Sequence, residues 1–368
     1  MIKQRWWSRI KPYVDVFDGL LLIILTVLVS VSLLTMFSSA YDFPGRMQGH
    51  VRNLLLAALV MWIVSLCSPQ ALMRAAVPIY VAGLVLLVLV ELAGVTKKGA
   101  TRWLDLGPIN IQPSEIMKIG LPLLLAWYFH KREAVLQWKD YVIATLLLAF
   151  PTILILKQPD LGTAILVFSS GFAVIFFAGL SWKILTGLIL TGLASLPLVW
   201  TLMHDYQRQR VLTLLDPGSD PLGKGFHIIQ STVAIGSGGI LGKGWMQGTQ
   251  THLEFIPERT TDFIFSVYAE EFGLIGNFVL LLIYFALIIR GFLIASSAGT
   301  LFGRLLASAV TLIFFMYAFV NMGMVSGILP VVGVPLPFMS YGGTAMITLA
   351  IGCGILMTIR RNRHLIQG

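Results

Sequence analysis

Apolar runs of about 17 to 25 residues recur along this chain, each long enough to cross a ~30 Å hydrocarbon core as an α-helix. A lipid interior offers the backbone no water, so only structures that satisfy their own N–H and C=O groups can span it. A β-barrel would show short segments of alternating polarity, whereas residues 20–34 and 146–156 are almost continuously apolar. Composition agrees: 57% of the 368 residues are hydrophobic and 12% are charged, while soluble domains average about 25% charged. The expected fold is all-α, a polytopic integral membrane protein.

Coarse spans fall at 16–37, 53–67, 76–94, 114–129, 141–156, 161–180, 184–203, 263–289, 305–325 and 343–359, which gives about ten helices. An even number puts both basic tails on one side. These are Lys3, Arg5, Arg9 and Lys11 around Trp6 and Trp7, and Arg360 to Arg363. The positive-inside tendency assigns that side to the cytoplasm. The first apolar run is longer than a signal h-region and no cleavage pattern follows it, so it reads as a retained helix. Arg74, Lys131, Arg132, Lys139, Lys183, Arg290 and Arg304 then also lie inside. The chain has no repeat of fixed period and reads as a single transmembrane domain, 1–368, with one large external loop at about 204–262.

That topology leaves Arg46, Arg52, Lys97, Lys98, Arg102, Lys157, Arg208, Arg210, Lys224, Lys243 and Arg259 outside. Long loops escape the orientation rule, which is one explanation. The other is that these cations collect an anion, a phosphorylated lipid headgroup above all. The glycine-rich run 236–244 is not a nucleotide loop: Gly244 stands where a P-loop needs Ser or Thr, and Leu241 breaks Gly-x-Gly-x-x-Gly. A helix break, or flexibility near a bound headgroup, fits it better. Cys67 and Cys353 show no metal or disulfide spacing, and the six histidines show no ligand spacing. No nucleotide is expected. A divalent cation, magnesium or manganese, remains open because magnesium often takes only one or two protein carboxylates beside phosphate oxygens; the sequence assigns no metal ligand.

Four stretches carry chemistry. In Gln112-Pro113-Ser114-Glu115, Ser114 is the expected N-cap, and Glu115 and Lys118 share a helix face, as a structural pair or lining a cavity. In Gln158-Pro159-Asp160-Leu161-Gly162-Thr163, Asp160 can cap the next helix. The external turn at 333–343 is too apolar and proline-rich for a simple solvated loop, and reads as packing over a cavity or receiving lipid tails. In the large loop, Arg208 and Arg210 suit bidentate phosphate recognition, with Lys224, Lys243 and Arg259 adding charge. Glu258 and Asp262 are four apart there, and Asp262 sits where the loop meets the next helix. A carboxylate at that point is either a cap or a general base on a sugar hydroxyl.

Lys98-Gly99-Ala100-Thr101-Arg102-Trp103-Leu104, together with 112–115, 158–163, 206–210, 257–273 and 333–343, resembles the SEDS family (shape, elongation, division and sporulation) over nearly the whole chain. The short N-terminal tail and Pro257-Glu258-Arg259 before Thr260-Thr261-Asp262 resemble its elongation branch more than its division branch. The resemblance implies a ten-helix glycosyltransferase of the bacterial inner membrane that polymerises lipid II on the periplasmic face. It also implies partnership with a class B penicillin-binding protein and other elongation-complex membrane proteins. The family's essential aspartate corresponds to Asp262, its helix-four Glu and Lys to Glu115 and Lys118, and its Gln-Pro-Asp acid to Asp160. Thr260 departs from relatives that carry His there.

The implied chemistry is inversion at C1 of a muramyl sugar with loss of undecaprenyl diphosphate. Asp262 takes the C4 hydroxyl proton, and Arg102, Arg208, Arg210, Lys243 and Arg259 line the diphosphate or the cavity with Glu115, Lys118 and Asp160. Two other readings use the same surfaces: a lipid II flippase, for which paired broken helices would be expected, and a noncatalytic scaffold for a cross-linking enzyme.

Overall fold

The computed structural model describes residues 16–97, 100–105, 110–133, 136–203, 205–220, 223–253, 255–256 and 258–362. The expected basic anchor at 3–11, Lys98 and Arg363 lie outside these ranges. Each of the ten expected spans is a helix: α1 Gly19–Ser39, α2 Arg46–Leu66, α3 Pro69–Ala93, α4 Pro113–Lys131, α5 Trp138–Lys157, α6 Leu161–Phe177, α7 Trp182–Leu202, α10 Ile264–Ser296, α11 Leu301–Val325 and α12 Gly343–Arg361. Eight are long and apolar enough to cross a membrane, and α6 is a shorter apolar helix. The remaining one, α4, carries Glu115 and Lys118 and is almost wholly enclosed by its neighbours. Its N-cap is Gln112 rather than Ser114. Pro113 occupies the first helical position, where its missing N–H costs nothing, and this moves the helix start one residue back.

Most of α11 and α12 is buried, and they form the centre of the bundle. Close approach rests on small residues. A Cβ on Gly354 would lie 2.7 Å from Val64 Cβ, so α12 can lie against α2 only with glycine there. Gly171 plays the same part where α6 meets Leu121 of α4 and Leu148 of α5. By contrast, none of residues 182–201 of α7 is buried, and the helix stands apart from the core.

The segment expected as one large loop is about half helical, with α8 Asp205–Leu215, α9 Lys224–Ser237 and a single turn at Thr249–His252. A small antiparallel sheet precedes α4, β1 Val95–Lys97, β2 Ala100–Asp105 and β3 Asn110–Ile111, in the order β1-β2-β3. Its pairing sets Thr96 against Thr101 and Leu104 against Ile111.

The long helix α10 is broken at Gly273, whose backbone (φ 64, ψ −161) is not helical. A break inside a membrane frees backbone groups that must find partners. The glycine-rich run supplies them. Lys243 and Gly244 donate their N–H groups to the carbonyls of Glu270 and Glu271 (3.0 Å each), while Leu274 and Ile275 donate to Gly239 and Ile240 (2.9 and 3.1 Å). A Cβ on Gly242 would fall 2.1 Å from the Glu271 carbonyl oxygen, so only glycine fits that approach. The run 236–244 thus ends α9 at Ser237 and lends its backbone to the break in α10.

At the opposite end of the bundle, Asp18 caps α1 through the Leu21 N–H (2.7 Å) and receives Arg290 of α10 (Nε, 3.0 Å) and Arg360 of α12 (Nε, 2.6 Å). Burial works to raise its pKa, but the Arg290 and Leu21 hydrogen bonds and the two guanidinium charges outweigh it. The carboxyl is held below the usual range.

Candidate active site

Three of the motifs converge on Asp160. Its carboxylate caps α6 through Thr163 N–H (3.1 Å), accepts from Gln112 Nε2 (3.3 Å) and faces Arg102 NH1 (3.3 Å). The β-sheet explains the last contact, because Arg102 lies on β2, which the turn into α4 brings beside the start of α6. Capping is therefore only part of what Asp160 does.

Inside the bundle, Lys118 Nζ donates to Glu115 Oε1 (2.7 Å) and to the Tyr317 hydroxyl (2.5 Å). All three side chains are buried. A charge pair out of water survives only with good geometry and further hydrogen bonds, and Tyr317 supplies one. Four residues further along α11, Asn321 Nδ2 donates to the backbone carbonyls of Asp262 (2.9 Å) and Val334 (2.7 Å). One face of α11 thus joins the Glu115–Lys118 pair to the Asp262 region.

Asp262 lies in a turn before α10, and Phe263 is the N-cap, so Asp262 is not the capping residue. The chain around it is pinned by the loop between α11 and α12. The Ser340 hydroxyl donates to the Thr261 carbonyl (2.6 Å) and Tyr341 N–H to the Thr260 carbonyl (2.8 Å). A Cβ on Gly333 would lie 3.3 Å from Asp262 Oδ2, and one on Gly162 would lie 2.8 Å from the Val332 carbonyl. The strip Val332 to Gly333 therefore runs between the start of α6, with Asp160, and the Asp262 carboxylate. Phe263 stacks on His227 of α9 at 5.5 Å between ring centroids. The turn at 333–343 packs on the helices: Tyr284 donates to Pro337 (2.8 Å), and Leu336, Phe338, Met339 and Ser340 are buried.

The remaining expected cations are placed otherwise. Arg259 is buried, donates to the Ser39 carbonyl (2.9 Å), pairs with Asp42 and stacks on Tyr41 and Phe43. Lys243 pairs with Glu270 (2.7 Å) and Thr249 (2.6 Å). Glu270 also accepts from the Gln250 and Thr251 N–H groups, so this acid binds the loop to the outer half of α10. Arg208 donates to the Trp200 and Thr201 carbonyls (3.0 and 2.7 Å), closing the end of α7. Nε and NH1 of Arg210 are shielded from solvent. Lys243 and Arg259 are thus each engaged by a carboxylate, Glu270 and Asp42, that charge alone in the sequence does not reveal. Sequence reasoning missed Tyr317 and Asn321, whose partners lie far along the chain and which nothing local marks. It singled out the turn at 333–343 but gave Ser340 no role of its own.

Residues 14–365 match the family described as cell cycle protein, covering FtsW, RodA and SpoVE. The chain belongs to this family. It is 47% identical over 366 residues to the peptidoglycan glycosyltransferase MrdB of Escherichia coli K12, covering 99% of this chain and 98% of that one. The MrdB of Helicobacter pylori 26695 is 35% identical over 95% of this chain and 91% of its own. Among solved structures, a chain from work on structural coordination of polymerization and crosslinking by a peptidoglycan synthase complex superposes with a TM-score of 0.82 at 38% identity, covering 95% of this chain and 98% of that one. The rod shape determining protein RodA of Thermus thermophilus gives 0.72 at 30% identity, with the same coverage.

Proposed function

We propose that Asp262 is the general base of a lipid II polymerase. The chain is a peptidoglycan glycosyltransferase; the roles of its residues are our reading. What carries it is the way Asp262 is held. Asn321, Ser340 and Tyr341 fix the carbonyls of Asp262, Thr261 and Thr260, which orients the backbone, and Gly333 keeps the carboxylate side open to close approach. A base must be positioned before its pKa matters.

In this reading Asp262 takes the proton from the C4 hydroxyl of one lipid-linked disaccharide as its oxygen attacks C1 of another chain's muramyl sugar. The C1–O bond to the diphosphate breaks, undecaprenyl diphosphate leaves with the electron pair, and a β-1,4 bond forms by inversion. Asp160 with Arg102, and Glu115 with Lys118, shape the polar interior beneath. Among the described residues no group of three or more His, Cys, Asp or Glu could hold a metal. A magnesium or manganese ion would take most of its ligands from substrate oxygens and water, where it would neutralise diphosphate charge. We place the site on the periplasmic face with both termini cytoplasmic, and a class B penicillin-binding protein as the cross-linking partner.

The test is reconstitution. Purified protein in proteoliposomes, with its cross-linking partner, a divalent ion and fluorescent lipid II, should yield β-1,4 polymer and free undecaprenyl diphosphate. Transbilayer movement of lipid II with no polymer would overturn the polymerase reading in favour of a flippase.

A further inference from the structure

Four of the cations expected to meet the substrate's diphosphate are engaged by protein groups: Arg102 by Asp160, Lys243 by Glu270, Arg259 by Asp42 and Arg208 by two carbonyls. Arg46, at the first position of α2, is different. Its guanidinium lies over the Tyr341 ring (4.6 Å to the centroid) and the Phe43 ring (5.1 Å), and no ion pair joins it to a described carboxylate. Stacking engages the faces of the guanidinium and leaves its edge, with the fork of N–H donors, free for a bidentate oxyanion.

This cation is linked to the Asp262 turn through Tyr341. Tyr341 beneath it donates its N–H to Thr260, and the neighbouring Ser340 donates to Thr261. Further along the same face of α2, a Cβ on Gly49 would meet the Tyr341 hydroxyl at 2.8 Å, so glycine lets the ring lie flat against the helix. His50 is buried with Nε2 on Ser32 (2.8 Å) and Nδ1 without a protein partner, and its ring is 6.4 Å from that of Tyr341. Asn53 lies against Gly343. Residues 46, 49, 50 and 53 thus form one polar stripe at helical spacing, facing the loop that pins Asp262. Arg52 lies off that stripe and is exposed.

We propose that Arg46, seated on Tyr341 and Phe43, binds the diphosphate of the lipid-linked substrate. The proposal rests on the glycosyl-transfer reading above and names its anion seat. A half-buried cation in no ion pair with a described carboxylate, linked through Tyr341 to the Asp262 turn, suits an oxyanion that arrives with substrate and departs as leaving group. Electrostatic stabilisation there would act on charge that develops as the C1–O bond breaks.

Binding is measured on the full-length protein in an Asp262→Asn background, which removes turnover, with undecaprenyl diphosphate as probe and inorganic pyrophosphate, undecaprenol and phosphatidylglycerol vesicles as competitors. Arg46→Gln should weaken undecaprenyl diphosphate by about tenfold or more, the scale of a lost charge-assisted contact, and Arg46→Lys should restore part of it. Pyrophosphate should compete while undecaprenol and phosphatidylglycerol do not. Unchanged affinity in a monodisperse Arg46→Gln protein overturns the proposal, as does equal competition by phosphatidylglycerol, which would mark a bulk-lipid contact. If Asp262-intact protein polymerises lipid II and Arg46→Gln binds diphosphate normally, this seat alone is wrong. If intact protein with its partner never polymerises, the glycosyl-transfer reading falls and the seat falls with it.

Discussion

At the scale of single residues, the site is a set of charges, most of which have found protein partners. Lys118 is buried between Glu115 and Tyr317. Replacing it by methionine leaves Glu115 in the core without its cation, which should lower stability by about 3–5 kcal/mol; Tyr317→Phe, which removes one hydrogen bond to a charge, should cost ~1.5–3 kcal/mol. Thermal unfolding in detergent reads both, and equal midpoints for the two variants would contradict the ranking. The Glu115–Lys118 pair was legible because three residues on a helix is a local spacing. Tyr317 was not, because 199 residues separate it from Lys118. The partners of Arg259 and Lys243 were hidden for the same reason: Asp42 and Glu270 reach them only in the folded chain.

At the scale of elements, hydropathy located all ten long helices, since a membrane span is specified by its own composition. It read residues 263–289 as one continuous span, and the structure breaks α10 at Gly273. The signal lay elsewhere, in the glycines of 236–244, whose backbone fills the break. Gly273→Ala puts a side chain on a positive-φ backbone, with its Cβ 2.3 Å from the Gly242 nitrogen. The strain alone is worth ~1–3 kcal/mol, and the four clasping hydrogen bonds should loosen. Hydrogen exchange at Lys243, Gly244, Leu274 and Ile275 should accelerate in this variant. Unchanged protection there would show that the clasp does not depend on glycine. The β-sheet also escaped the sequence reading, because three strands of six residues or fewer between two spans resemble any polar loop. Yet this sheet brings Arg102 to Asp160.

At the scale of the whole molecule, the two ends of the bundle are held differently. Asp18 ties α1, α10 and α12 together through Arg290 and Arg360. Its pKa is depressed in the folded state, so its contribution is fully present above the unfolded carboxylate value of about 3.9 and is lost as pH falls through the lower folded value. The thermal midpoint should therefore drop on acidification below about pH 4, and Asp18→Asn should lose stability at neutral pH and flatten that acid limb; an acid limb as steep as that of the unsubstituted protein would contradict the assignment. The other end is held by Asn321 of α11 and by Ser340 and Tyr341 of the loop between α11 and α12, which together fix the carbonyls of Asp262, Thr261 and Thr260. Non-helical backbone interrupts α10 alone among the described helices, and its break is closed by the chain itself rather than left open around a transported ligand. The account's central claim is that this end does chemistry through Asp262. Its most direct test is polymerisation of lipid II by the purified Asp262→Asn protein with its cross-linking partner. The account predicts loss of polymer to background while the protein stays folded, keeps its partner and still binds undecaprenyl diphosphate; polymer at the rate of the unsubstituted protein would contradict it.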